Sequence, residues 1–397
     1  MECVIEVDRV GAVHLGALLG HGGQAKVMEC SLETPSVATV GKFYQELSWK
    51  GELNQTASHE FEMLQAAASP YVVKAYALQQ VPHTAVLEKM VGGFRQVAKE
   101  AKTRTMEDRR VRTRDTDHTD LAADLMCPLQ VSVLFMELCD ISLQQIISQK
   151  FREAEAAFVC CSVLKALNHL HRHRILHRDV KPANILLADA GTRVVLSDFG
   201  LAAYLPTSSD TLRGPFCGTR GYTAPECSEA DSLFSHEADV FALGVVLYFL
   251  LFRTYPFRSW DQCLLLGESP WSFVLEPCGR AVGRSESSCR LIRHCLALDR
   301  PHRPSAAQAL ESAWFQEVEP IFKLEKQMKL VDASDDELFP TAKGNNLTHG
   351  DRRRTTKTQV LSMLAPLTRL IPRFIFRRKK IHPEFSDFRP MLPNRTS

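Results

Sequence analysis

Residues 175–187 read "ILHRDVKPANILL" and gather five groups able to do chemistry: His177, Arg178, Asp179, Lys181 and Asn184. A carboxylate accepts protons, an ammonium neutralises anionic charge, and an amide carbonyl offers a hard oxygen. The apolar flanks read as short buried strands, and charge set between them is costly unless something pairs with it. "LSDFGLA" (196–202) follows, where Asp198 at a strand end before Phe-Gly can ligate a metal ion. Upstream, "LGHGGQAKV" (19–27) supplies Gly20, Gly22, Gly23, Ala25 and Val27. Lys42 lies fifteen residues beyond Val27, and Glu60 eighteen beyond Lys42. Downstream stands "GTRGYTAPE" (218–226).

The elements that must hold these residues follow from periodicity. Alternating apolar runs over 14–44, broken by "GHGG", predict hairpin strands. "SHEFEMLQAAA" (58–68) has helical spacing, while "YVVKAYALQQ" (71–80) and "VSVLFMEL" (131–138) read as strands. Residues 92–129 are charged and poor in apolar residues, the composition of a mobile insertion. "FREAEAAFVCCSVLKALNHLHRH" (151–173) has the period of a long helix, and the pattern from 240 to about 316 is mostly helical. A β-rich front and an α-rich back predict an α+β, two-lobed fold with the charged stretch near the junction.

The totals limit the function classes. A chain of 397 residues at 45% apolar content can build a sizeable core. The net charge of +2 gives no sign of nucleic-acid binding, so no nucleic-acid partner is expected. From Val318 to the end there are 16 Lys and Arg against 9 Asp and Glu, so a mildly acidic body carries a basic tail. Twelve cysteines without CxxC spacing point to reduced thiols, hence a cytoplasmic or nuclear location. "VFALGVVLYFLLF" (240–252) is too short to span a bilayer and reads as a buried core helix.

Each motif alone is common; their order and spacing together are not. Over roughly residues 12–317 the sequence resembles a eukaryotic protein kinase. That resemblance implies a bilobal fold, β-rich N-lobe and α-helical C-lobe, with ATP between them and Mg²⁺ as its metal. It implies an N-terminal lead over 1–11, an insertion at about 83–129 and a basic, flexible tail over 318–397. Phosphoryl transfer asks a protein for alignment and charge neutralisation more than for covalent work. By the resemblance, Asp179 takes the substrate hydroxyl proton, Lys181 neutralises γ-phosphate charge, and Asn184 and Asp198 hold Mg²⁺. Lys42 binds the α/β-phosphates, steered by Glu60, though the two could instead be a surface pair. The glycines let backbone approach the phosphates, and Ala25 in place of a third glycine stiffens the loop. Gly41 beside Lys42 would loosen its strand.

Further assignments carry over in the same way. Met136 is the gatekeeper, with Glu137 and Cys139 offering backbone hydrogen bonds to adenine; "TAVLEKMVGG" (84–93) is the other candidate for this strand. His177 supports the loop, and Phe199 and Gly200 complete the Asp-Phe-Gly turn. Asp239 is either a helix N-cap or a buried acid bonded to the catalytic turn. Glu226 and Arg303 form a structural ion pair. Arg178 implies a basic pocket awaiting a phosphate, with Thr211 the nearest acceptor. Lys181 two residues after the base, with Thr219 bonding Asp179 and Lys181, implies Ser/Thr specificity. Ala183 replaces the Glu of kinases favouring basic substrates, and Thr223 argues against proline direction. "CGTRGYTAPE" and "ESAWF" (311–315) lean towards the calmodulin-dependent and related groups.

The expected activity is ATP-dependent phosphorylation of Ser/Thr hydroxyls on protein substrates. The alternative, a pseudokinase scaffold binding partners through insertion or tail, should lack one of Lys42, Asp179, Asn184 and Asp198, and none is missing. A small-molecule kinase generally lacks the "APE" segment present here. The tail stretch "LSMLAPLTRLIPRFIFRRKK" (361–380) could meet a regulatory partner or an anionic membrane surface; "FSDF" (385–388) resembles a hydrophobic docking motif.

Overall fold

The structure is a computed structural model that describes residues 3–7, 11–32, 38–48, 52–84, 87–88, 91–96, 129–228, 231–257 and 284–318. The expectations for 97–128 and for the tail beyond 318 lie outside these residues. The front of the chain forms β1 (Cys3–Val7), β2 (Gly11–His21), β3 (Ala25–Leu32), β4 (Ala38–Tyr44) and a short β5 (Glu46–Leu47). Then come α1 (Gln55–Ala66), β6 (Ala75–Pro82), β7 (Arg95–Gln96) and β8 (Gln130–Glu137). Six of these strands make one antiparallel sheet in the order β1-β2-β3-β4-β8-β6. Cα atoms of its two edge strands, β1 and β6, come within 8 Å of one another, so the sheet curls almost into a barrel. The sequence reading began the domain at 12, whereas β1 already pairs with β2 from Cys3↔Leu15 to Val7↔Gly11.

The period of two along β3 divides the front's apolar residues between two cores. Met28 and Cys30 face the inside of the curled sheet with Val13, Phe43, Val133 and Phe135. Ala25 and Val27 face the other way, towards α1 and the second lobe. Gly41 sits in β4 where a Cβ would stand 2.8 Å from the Phe43 ring and 3.1 Å from the Cys30 sulfur. The inner core leaves no room for a side chain there, which accounts for glycine beside Lys42. The first part of the insertion closes one end of the curled sheet. Leu87 and Val91 are buried in the inner core, β7 pairs in parallel with β5, and the His83 amide donates to the Leu129 carbonyl at 2.8 Å.

The back begins with β9 (Ile141–Ser142), the one-turn α2 (Leu143–Ile146) and the long α3 (Glu153–Arg172). Glu155 caps α3 by accepting the Arg152 amide at 2.8 Å. Next are β10 (Ile175–Leu176), β11 (Ile185–Ala188), β12 (Arg193–Leu196), β13 (Ala203–Tyr204), β14 (Leu212–Gly214) and β15 (Ser232–Phe234). The chain goes on as α4 (His236–Phe252), α5 (Glu286–Cys295) and α6 (Ala306–Leu310). Helix α4 is apolar nearly all round and buried on most faces, as a core helix must be. No described helix is long and apolar enough to cross a membrane. The architecture is the α+β, two-lobed fold expected, with β10 and β11 bracketing the charged stretch. The strand 130–137 pairs with β4 through Val40↔Met136, while 87–88 is a helical turn, so 84–93 is not the strand beside Lys42.

Candidate active site

The charged stretch finds its compensation inside the protein. Asp239, two per cent exposed in the first turn of α4, accepts the amides of His177 and Arg178, each at 2.9 Å. It is not the N-cap of that helix, a place held by Ser235. His171, at the end of α3, reaches the same carboxylate at 3.1 Å. Burial alone would raise the Asp239 pKa, but the bonds and charges of His171 and His177 overturn it and hold the carboxyl below its usual range. Arg178 is thereby held at φ 65°, a strained conformation for a residue with a side chain. His177 is fixed through Nε2 to the Ser197 carbonyl at 3.0 Å and lies edge-on to Phe199.

The carboxylate of Asp179 is the meeting point of three donors. Lys181 Nζ stands 2.7 Å from Oδ2, Asn184 Nδ2 donates to Oδ2 at 3.0 Å, and Thr219 Oγ1 donates to Oδ1 at 2.7 Å. Lys181 also donates to Thr219 Oγ1 at 2.8 Å. Asn184 spends its amide nitrogen on Asp179, which leaves its carbonyl oxygen as the face to offer a cation.

The second constellation joins three elements. Lys42 on β4 lies 2.8 Å from Glu60 Oε1, 2.7 Å from Oε2 and 2.8 Å from Asp198 Oδ1. Glu60 is one per cent exposed on α1, and Asp198 projects just beyond β12 with φ 62°. Burial would lower the Lys42 pKa, but the facing Glu60 and Asp198 charges win and raise it. Burial would likewise raise Asp198, and Lys42 pulls it below its usual value. Sequence reasoning missed one member: Tyr44 OH donates to Glu60 Oε2 at 2.6 Å. Burial, then the Glu60 charge, push its pKa far up, so it remains a donor. The available signal was position, since Tyr44 is two residues from Lys42 and on the same face of β4.

The residues expected to meet a nucleotide lie on β2, in the turn after it, on β3 and around the end of β8. A Cβ at Gly20 or Gly23 would meet nothing within 4 Å, and one at Gly22 only the Ala25 carbonyl at 3.8 Å. None of the three needs a left-handed backbone, so the space, not the turn, is what their missing side chains leave. Leu19 beside them is 45% exposed. Ala25 packs its methyl into the core. Met136, eight per cent exposed, is the last residue but one of β8. The Glu137 side chain turns away to Arg193 at 2.6 Å, and its amide donates to Lys74, leaving the carbonyl as the group it can offer. Burial, then the charge of Glu137, push the Cys139 thiol up to about 12. The residues fit Mg²⁺ with a nucleotide: one carboxylate and one amide carbonyl, with phosphates and water to complete the shell.

The remaining residues shape the segment after Asp198. Arg178 gives Nε to the Leu201 carbonyl at 2.6 Å and lies over the Phe234 ring. Thr211 bonds Ser209, and among the described residues no bond joins it to Arg178. Instead Arg174, itself at φ 59°, holds the carbonyls of Pro206 and Ser209, and β14 pairs with β15. Arg303 clasps Glu226 through two nitrogens at 2.6 and 2.8 Å. Gly200 lies close to both Glu60 and Asp198.

Residues 122–315 match the protein kinase domain family. Serine/threonine-protein kinase DCLK3 of Mus musculus is 26% identical over 79% of this chain and 34% of its own length. The calcium/calmodulin-dependent protein kinase type II alpha chain of Drosophila melanogaster is 31% identical over 48% of this chain and 36% of its own. The phosphorylase b kinase gamma catalytic chain, liver/testis isoform, of Bos taurus is 37% identical over 42% of each. The chain thus spans between about a third and two fifths of these relatives' lengths. With two lobes and the motifs in order, residues 122–315 form a protein kinase domain, and the chain is similar to eukaryotic Ser/Thr kinases.

Proposed function

We propose that the protein is an active Ser/Thr protein kinase, transferring the γ-phosphoryl group of ATP to hydroxyls of protein substrates. The observation that carries this reading is the double convergence: Lys42 bridges Glu60 and Asp198, while Asp179 collects Lys181, Asn184 and Thr219. Bound Mg-ATP would supply the phosphoryl group and divalent charge. Asp179 would accept the hydroxyl proton as the substrate oxygen bonds to the γ-phosphorus and the bond to the leaving ADP oxygen breaks. Lys181 would draw negative charge from the transferring group, and Lys42 would hold the α/β-phosphates once it shares itself with them. Asn184 and Asp198 would hold the metal. Met136 would border the adenine, with the Glu137 carbonyl and Cys139 backbone as its partners. In this reading the catalytic unit covers 12–317 with strand β1 added to its sheet, and 83–129 is an insertion.

The test is phosphate transfer to a degenerate Ser/Thr peptide array. The wild type should transfer, Asp198→Ala should lose about 10³-fold, and Asp179→Asn about 10²- to 10⁴-fold. A wild type with no more transfer than Asp198→Ala would leave the partner-binding scaffold as the reading.

A further inference from the structure

The loop that carries Thr219 also carries a charge with no assigned use. Gly218 and Gly221, at φ +99° and +92°, bracket Thr219 and Arg220. A Cβ on Gly218 would stand 2.7 Å from the Arg178 carbonyl, so glycine is what lets this loop run so close beneath the catalytic turn. A Cβ on Gly221 would meet nothing within 4 Å, which leaves bare backbone open to an incoming chain. Between them, Thr219 turns in to Asp179 and Lys181, and Arg220 turns out, exposed, with its guanidinium over the Phe216 ring at 5.9 Å.

Among the described residues no carboxylate pairs with Arg220. The described acids nearest Arg220 along the chain face other cations: Glu226 pairs with Arg303, Asp231 with Arg213, and Asp210 faces Arg174 at 3.9 Å. Lys181 is taken up by Asp179, and the catalytic stretch offers Ala183 where a carboxylate could have stood. Among the described residues of this loop, the charge left unpaired beside Thr219 is that of Arg220, and it is positive. Neighbouring Cα atoms are about 3.8 Å apart, and an extended peptide rises about 3.3 Å per residue. A peptide whose hydroxyl faces Asp179 therefore passes Arg220 within a few residues of that hydroxyl.

Resting on the kinase reading, we infer that the preferred substrates carry an Asp or Glu within three residues of the phosphorylated Ser or Thr, held by Arg220. The phenyl ring of Phe216 supports the guanidinium from behind and limits the freedom it loses on pairing.

The test uses the full chain and neutral peptides with a single Ser, scanning one Asp or one Lys from three residues before it to three after. Each variant is read as its own ratio of kcat/KM against the neutral peptide, so that loss of folded protein cancels. The wild type should favour Asp at one or two positions by about 5-fold, the worth of a part-exposed ion pair. Arg220→Ala should bring that ratio to about one, and Arg220→Glu should reverse it in favour of Lys. Equal ratios at every position in the wild type, or an Asp preference that survives Arg220→Glu, overturn this inference alone. A wild type that phosphorylates not even the neutral peptide overturns the kinase reading, and the inference falls with it.

Discussion

Tyr44 shows how a single hydroxyl can set the geometry of a charged centre. Glu60 is buried, and its Oε2 accepts from both Lys42 and Tyr44. A buried carboxylate needs its lone pairs satisfied to hold still. The Tyr44 ring also lies 5.7 Å from Lys42 Nζ, so one side chain touches both partners. Replacing Tyr44 with Phe keeps the packing and removes one hydrogen bond to a charged group, worth about 1.5–3 kcal/mol. Glu60 would then steer Lys42 less firmly. The expected result is a KM for ATP raised several-fold with kcat changed less, and a modest fall in melting temperature. Titration of the variant with Mg-ATP at wild-type affinity would remove Tyr44 from this role. Asp179, Lys181, Asn184 and Asp198 were legible in the sequence because each lies inside a short contiguous motif. Tyr44 was not, because its partner sits on another element and only the register of β4 against α1 brings them together.

At the scale of elements, the turn that carries Asp179 is held from below by the join of α3 and α4. Asp239 at the start of α4 binds two amides of that turn, and His171 at the end of α3 binds Asp239. His236 stacks on His171 with ring centroids 4.3 Å apart. Burial first, then the neighbouring His171 and Arg174, lower the His236 pKa to about 4, against the pull of Asp239 and Glu237. The sign follows from linkage. An unfolded His takes its proton near pH 6.5, whereas this one in the fold waits until about 4. Between those values the unfolded chain binds the proton and the folded chain does not, so stability is full above about pH 6.5 and falls as pH drops towards 4. The loss from this one group is of the order of 2 kcal/mol, since partial exposure screens it. His236→Gln should flatten part of the fall in melting temperature between pH 7 and 4.5; a variant curve parallel to the wild type would exclude His236 as the cause. The order of these helices could be read from periodicity. The histidine stack could not, because "HLHRH" alone does not say which ring turns towards α4.

The whole molecule has an inner core of its own inside the curled front sheet, apart from the larger core that runs from β4 and α1 through α3 and α4. The inner core is closed by Leu87 and Val91, from the start of the insertion and just ahead of the charged stretch 92–129 that composition sets apart. Leu87 and Val91 stand four residues apart, too short a run to give a period, and both are buried. The glycines after them, Gly92 and Gly93 at φ 66° and 75°, turn the chain so that Lys26 can donate to the Val91 carbonyl. Lys26 lies next to Val27 and pairs with His21 of the glycine loop, so the insertion's first turn is tied to the strand that carries that loop. The join at His83 and Leu129 brings β6 and β8 together whatever lies between. Two shortened chains separate these contributions. Removing 97–128 retains Leu87, Val91 and the tie to Lys26, and should leave the melting temperature of the front lobe nearly unchanged. Replacing 84–128 by a short turn keeps the strand pairing but unplugs the inner core, as Leu87→Ala should do in milder form at about 2–5 kcal/mol. The front lobe should then unfold earlier, and hydrogen exchange should rise first at Phe43, Val133 and Phe135, whose side chains face the lost plug. Equal melting of the two shortened chains would mean that Leu87 and Val91 fill the end of the sheet without holding it.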